Sequence, residues 1–235
     1  MSKKLAIIAV SGLAICATCL VAAAAVGGKD FLHDVSFPGF QPRCGAASGE
    51  IASRSMDWNG DDGEVHIAMP ANVHFRQGSG DKLVVEGDRA ALAHVQVDDG
   101  KLSLDCCRRS GSGRFEVTLP GRAFHQFDLA GSGRLNLSDI DVPDLSIHVA
   151  GSGEVEASGK ANNLEMVIAG SGDARLGELA IKSAELSVLG SGKAEIAPSE
   201  RLEVNIAGSG QVRLKTEPRH LETHIARSGE LIRAP

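Results

Sequence analysis

The chain has 235 residues, enough for one elongated domain or two small ones. Its net charge of −6 argues against nucleic acid as a partner. Aromatics make up only 3%, with no Tyr and one Trp, whereas the 28 glycines are well above the ordinary ~7%.

Residues 1–28 read as a targeting segment. Lys3 and Lys4 precede an uncharged stretch, Leu5 to Gly28, rich in Ala, Ile, Leu and Val. Two readings stay open. A secretory signal peptide would be cut in the small-residue run Ala22 to Gly28. A retained anchor would cross the membrane through residues 5–26, with Lys3 and Lys4 cytoplasmic. A lipoprotein signal ending at Cys16 is disfavoured by bulky Ile15, where a small residue is expected. All three place the remainder outside the cytoplasm: in the periplasm, at the cell surface, or tethered to the inner membrane. Without Lys3 and Lys4 the exported part holds 22 basic and 30 acidic residues, close to −8.

Residues 29–56 are rich in Gly, Pro, Ser and Ala and read as a tether or cap. Residues 57–125 read as short strands. Glu64 to Ala68 alternates, and Val73 to Arg76 closes on Gly78-Ser79-Gly80. Leu83 to Glu86 is followed by Gly87-Asp88. Val95-Gln96-Val97 and Leu102-Ser103-Leu104 flank Asp98-Asp99-Gly100, a strong hairpin signal. Gly111-Ser112-Gly113 and Phe115 to Leu119 lead onward. This stretch is a degenerate version of the regular repeat in residues 126–235, as terminal repeats usually are.

Residues 126–235 carry the organising feature. Gly-Ser-Gly recurs at Gly131, Gly151, Gly170, Gly190 and Gly208, and decays to Arg227-Ser228-Gly229. The first positions are 20, 19, 20, 18 and 19 residues apart. A period near 20 means stacked coils. Apolar residues alternate before each triplet (Leu145, Ile147, Val149) and after it (Val155, Ala157), so they share one face of a strand. Each coil is therefore strand, glycine corner, strand and a variable second corner. Ile140 with Val142, and Leu179 with Ile181, mark a short third strand. Stacked rungs would sit ~4.8 Å apart. The expected fold is an all-β parallel β-solenoid, β-helix-like, preceded by an N-terminal targeting helix. The alanine or leucine before each triplet is expected to fit a narrow corner, and the serines to form a hydroxyl column. A calcium-binding nonapeptide roll is excluded: the period is twice too long, and Asp173 is the only Asp following a triplet.

The run Val73-His74-Phe75-Arg76-Gln77-Gly78, then Leu83-Val84-Val85-Glu86-Gly87-Asp88, the Asp99-Gly100 hairpin and the Ala-Gly-Ser-Gly array resemble the auto-transporter adhesin head GIN domain family. The resemblance covers roughly residues 57–232. It implies a bacterial envelope protein with a β-helix-like fold. It brings no catalytic or binding residues to carry over, and the family's specific role is unknown.

Candidate sites lie on the solvent-facing columns. Arg134, Glu154, Asp173, Lys193, Gln211 and Glu230 form one; Asn136, Glu156, Arg175, Glu195 and Arg213 form another, whose sign alternates as cross-strand pairing requires. The column five residues before each triplet differs, because Glu165, Glu185, Glu203 and Glu222 would stack directly, which is destabilising. That stripe would bind a divalent cation or a basic partner, unless Lys182, Arg201 and His220 ease its charge. Among the exported thiols, Cys106 points inward and Cys107 outward if Leu102 and Leu104 are inward. A Cys44–Cys107 disulfide is the expected link; the alternative is an inert buried thiol and a free outward one.

No catalytic, cofactor or zinc motif stands out. His66, His74 and His94 lack ligand spacing, and His148 and His224 lie several coils apart. The reading is a non-enzymatic, adhesin-like binding or scaffolding module. Its partner would be an envelope protein or polysaccharide. One alternative is a carbohydrate-active enzyme, which needs Trp58, Phe124 and Phe127 gathered at a groove. Another is a structural spacer.

Overall fold

The computed structural model describes residues 48–60, 63–105 and 114–233. The targeting segment and the Cys44–Cys107 pairing lie outside the described residues. In chain order the strands are β1 (Ile51–Met56), β2 (Glu64–Ala68), β3 (Ala71–Arg76), β4 (Leu83–Asp88), β5 (Val95–Asp98), β6 (Lys101–Leu104), β7 (Phe115–Thr118) and β8 (Gln126–Gly131). Then come β9 (Arg134–Gly151), β10 (Glu154–Gly170), β11 (Asp173–Gly190), β12 (Lys193–Gly208), β13 (Gln211–Leu214), β14 (His220–Arg227) and β15 (Glu230–Arg233). A single-turn helix, Arg89–Leu92, follows β4.

The fold is a parallel β-solenoid of about 5 turns. β9, β10, β11 and β12 are each almost a whole turn of the coil, and each pairs in parallel register with the next. The glycines align in a file: Gly131 with Gly151, then Gly170, Gly190 and Gly208, and finally Arg227. Their φ values, 104 to 144°, lie where L side chains are strained. A Cβ on Gly151, Gly170, Gly190 or Gly208 would fall closer than 3.0 Å to the carbonyl oxygen of the glycine one turn below. The ladder also runs unbroken round the corner. The serine N–H donates to that same carbonyl, for example Ser171 N to Gly151 O at 2.8 Å, and Asp173 N donates to Gly153 O at 3.0 Å. Glycine allows this close approach together with the bonds; at the last corner Arg227 takes φ 71° instead, and Ser228 N still donates to Gly208 O at 3.1 Å.

The alternation predicted from sequence is the core. Leu135, Leu137, Leu145, Ile147, Val149, Val155, Leu164, Met166, Ile168, Leu176, Leu186, Val188, Ile196, Leu202, Val204, Ile206, Val212 and Leu214 are all buried. Each such side chain contributes roughly 1.5–3 kcal/mol. The uneven period is absorbed in the third side. The 20-residue turns bury Ile140 with Val142, or Leu179 with Ile181, whereas the shorter turns bury Ala161 or Pro198 alone. Below the first of these strands the Gln77 side chain substitutes for a missing strand. Its amide donates to Asp141 O at 3.2 Å and accepts from Asp141 N at 2.8 Å.

Two corner expectations are corrected. Ala130, Ala150, Ala169 and Ala207 are exposed and Leu189 is 49% exposed, so the residue before each triplet points outward rather than into a narrow corner. Among the described residues the triplet serine hydroxyls make no hydrogen bond to one another; the backbone N–H links the turns.

The N-terminal half stacks out of chain order. β2 sits between β6 and β8, and β3 between β7 and β9, all parallel. The rung β2–β3 is thus enclosed by rungs the chain builds later. Antiparallel strands close this end: β4 on β7, β1 on β4 and β5 on β6. The last parallel rung is thereby capped, and among the described residues the short strands β1 and β5 become the outer strands at this end. The β5–β6 turn is the predicted hairpin, with Asp99 at φ 45° and Gly100 at φ 76°. Gly78-Ser79-Gly80, by contrast, is not part of the glycine file. It bonds instead to Gly121, through Gly78 N to Gly121 O at 2.8 Å and Gly121 N to Gly80 O at 3.0 Å.

Candidate functional site

Two broad outer faces meet at the glycine corner. The face after the corner pairs several of its charges across the rungs. Arg134 donates to Glu154 at 2.5 Å, Arg175 pairs with Glu154 and, at 2.6 Å, with Glu156, and Lys215 pairs with Glu195 at 2.7 Å. The hydrogen bond from Arg134 holds the Glu154 carboxyl below its ordinary range. This is the charge ladder that the alternating columns predicted, with Lys215 rather than an in-register arginine serving Glu195.

The face before the corner is different. In register along it run Gln126, Ser146, Glu165, Glu185, Glu203 and Glu222. The four predicted glutamates therefore do stack on adjacent strands. Lys182, Arg201 and His220, expected to ease their charge, form no ion pair with them among the described residues. Glu222 meets His224 at 3.1 Å, and Glu203 accepts from Asn205 at 3.5 Å. A shallow groove of about 390 Å³ runs along this face, lined by Ser146, Glu165, Glu185, Glu203, Asn163 and Arg201 among others. Among the described residues no three His, Cys, Asp or Glu side chains converge as a metal site would require. A strand-spaced file holds its carboxylates side by side rather than around a point.

At the lower end of the same face lies a cluster that spacing did not reveal. His66, Asp128 and His148 occupy adjacent strands in register. Asp128 accepts from Nδ1 of His66 at 2.6 Å and from Nδ1 of His148 at 2.7 Å, one imidazole on each carboxylate oxygen. Gln126 adds a bond at 3.2 Å. The hydrogen bond to Asp128 raises both histidines above their ordinary 6.5, against a lowering by burial. Burial alone would raise Asp128, but the bonds from His148 and His66 outweigh it and hold the carboxyl well below its usual range. His66 Nε2 faces Glu64 at 3.4 Å and His148 Nε2 faces Ser146 Oγ at 3.3 Å. The order Ser146, His148, Asp128 is that of a hydrolytic triad. However, Glu165 lies directly across the ladder from Ser146, where its charge opposes a developing oxyanion. The Ser146 N–H is already spent on His125 O. The cluster is a clasp between strands that are distant in sequence. Only the pairing of β2 with β8 brings His66 to it, and no local periodicity reports that pairing.

The three aromatics that an enzyme reading needed are in the core. Trp58, Phe124 and Phe127 are 5%, 1% and 0% exposed, with ring centroids 5.2 Å apart for Trp58–Phe124 and 6.2 Å for Phe124–Phe127. They line no groove.

The family model described as putative auto-transporter adhesin, head GIN domain, matches residues 63–218, well over half the chain. The chain belongs to this family. Solved structures similar to this GIN-domain chain include an adhesin, itself named as putative, from Bacteroides fragilis. It has 18% identity and a TM-score of 0.63, over 80% of this chain and 99% of that one. A second, from Parabacteroides distasonis and named a putative lipid binding protein, has 19% identity and a TM-score of 0.53, over 80% and 98%. A third, a putative adhesin from the same species, has 16% identity and a TM-score of 0.52, over 80% and 98%. At such identities the likeness shows the fold alone. No curated protein matches the chain.

Proposed function

We propose that this GIN domain is an exported, non-enzymatic, adhesin-like module of the cell envelope, and that the face before the glycine corner binds a basic segment of an envelope protein. One contrast carries the reading. One outer face pairs Arg134, Arg175 and Lys215 with Glu154, Glu156 and Glu195 across the rungs, while on the other Glu165 and Glu185 form no ion pair among the described residues and line a groove, with His148 acting on Glu165 only as a neighbouring charge. Like charges directly opposite on neighbouring strands destabilise a sheet. A cationic partner laid along the groove removes that repulsion. The burial of Trp58, Phe124 and Phe127 supports a non-enzymatic reading, because a polysaccharide-cleaving groove would want them exposed. Export is supported by the uncharged stretch after Lys3 and Lys4.

The test is calorimetric titration of the protein with oligolysine, with oligoglutamate as control. The expected result is salt-dependent binding of oligolysine that is lost in the combined Glu165→Gln, Glu185→Gln and Glu203→Gln variant and kept in Glu154→Gln. Equal binding by the parent and the triple variant would overturn the proposal and leave a structural spacer. Cell fractionation, with the mature N-terminus read by mass spectrometry, tests export; recovery in the cytoplasm with Met1 retained would refute it.

A further inference from the structure

The lower end of the acidic groove adjoins the His66–Asp128–His148 clasp. Ser146 joins the two: it lines the groove beside Glu165, and its Oγ lies 3.3 Å from Nε2 of His148. Glu165 stands across from Ser146, and Val167, two residues on, stands across from His148. Glu165 is therefore diagonal to His148, with roughly 8 Å between the two positions by strand spacing and rise. His148 has Asp128 on β8 and, diagonally, Glu165 on β10. His66 has Asp128 on β8, Lys101 in register on β6, and Glu64 on its own strand. His125, just before β8, lines the groove as well.

With both imidazoles protonated the clasp is net positive; with both neutral, the Asp128 carboxylate leaves it net negative. The hydrogen bond from each ring to Asp128 raises both histidines above 6.5 against the lowering by burial, and the charges of Glu165 and Glu64 add to it. Repulsion from His66 lowers His148 in part. The change of charge therefore falls in a range where a lysine side chain stays charged. A cation bound on Glu165 meets repulsion from a protonated His148 and attraction from a bare Asp128. It also takes up the carboxylate charge that helps to hold the His148 proton. We propose that protonation of this clasp and occupancy of the acidic groove oppose one another, so that the groove holds a cationic segment more tightly in mild alkali than in mild acid. The coupling rests on the groove being the site for a basic segment. It is reciprocal, so an occupied groove also loosens the clasp protons.

Calorimetric titration with oligolysine between about pH 6 and pH 9 compares the parent with a His66→Gln, His148→Gln variant. Circular dichroism checks that both are folded. At roughly 8 Å one unit of charge shifts affinity several-fold, so the parent should bind about three- to tenfold more weakly at the acid end, and the variant should lose most of that difference. His125, His220 and His224, which lie in or beside the groove, are kept in both proteins. In the parent alone, saturating oligolysine should move the His148 ring titration, followed by NMR, to lower pH. Affinity that is flat with pH in the parent, or an equal pH response in the folded variant, overturns the coupling and leaves the groove standing as a binding site. An unmoved His148 titration under saturation does the same, and is decisive if the variant does not fold. Absence of oligolysine binding at every pH overturns the groove as a binding site and the coupling with it.

Discussion

Removing the carboxylate that joins His66 to His148 should destabilise the solenoid in a pH-dependent way. Asp128→Asn keeps the shape of the side chain but replaces two charge-assisted bonds, at 2.6 and 2.7 Å, with neutral ones. Hydrogen bonds to charged groups are worth roughly 1.5–3 kcal/mol each. His66 is 36% exposed at its side chain and His148 29%, so solvent screening reduces the pair to about 2 kcal/mol in total. For a body of this size that is a fall of about 4–8 °C in melting temperature. Both histidines are raised above 6.5, so their contribution is complete below that value and fades as the pH climbs through their folded pKa. Asp128 is lowered, so its contribution is present above its ordinary 3.8 and is lost on stronger acidification. The gap between parent and variant should therefore be widest between about pH 4 and 6.5 and narrow above neutrality. Neighbouring Glu64 and Glu165 favour the protonated imidazoles and reinforce this direction. Thermal unfolding followed by circular dichroism from pH 4.5 to 9 measures it. A gap that is flat with pH, or widest in alkali, would refute the clasp.

Other expectations rest on the same geometry. Gly170→Ala should lower stability by about 3 kcal/mol or more, since it adds a clash with Gly151 O to a strained φ, whereas Gly131→Ala, with open space around its Cβ, should cost only about 1–2 kcal/mol; urea unfolding of the two variants measures the difference. Leu186→Ala, fully buried in the middle of the stack, should cost about 2–5 kcal/mol by the same assay. Glu185→Gln, by relieving the repulsion from Glu165 and Glu203, should raise stability by a few tenths of a kcal/mol at low salt, and the gain should vanish in high salt. Arg175→Ala, on the exposed paired face, should cost about 1 kcal/mol or less.

The sequence by itself determined the repeating unit. At the first corner positions Gly151, Gly170, Gly190 and Gly208, glycine is dictated by a carbonyl lying where a Cβ would be, and the recurrence near 20 residues reflects the circumference of one turn. Period-2 alternation then assigned the buried residues, and the same parity placed Glu165, Glu185, Glu203 and Glu222 in one file. These features are legible because each turn meets its neighbour at a constant sequence offset. Tertiary structure decided whatever breaks that offset. β2 and β3 are slotted between strands made later, which brings His66 onto Asp128 across 62 residues and excludes Gly78-Ser79-Gly80 from the file despite its matching letters. Whether a carboxylate finds a cation was likewise settled by side-chain reach: Lys215 finds Glu195, while among the described residues Arg201 forms no ion pair with Glu185 or Glu203. Backbone register is set by a repeat, but contacts between irregular strands depend on the path of the chain between them.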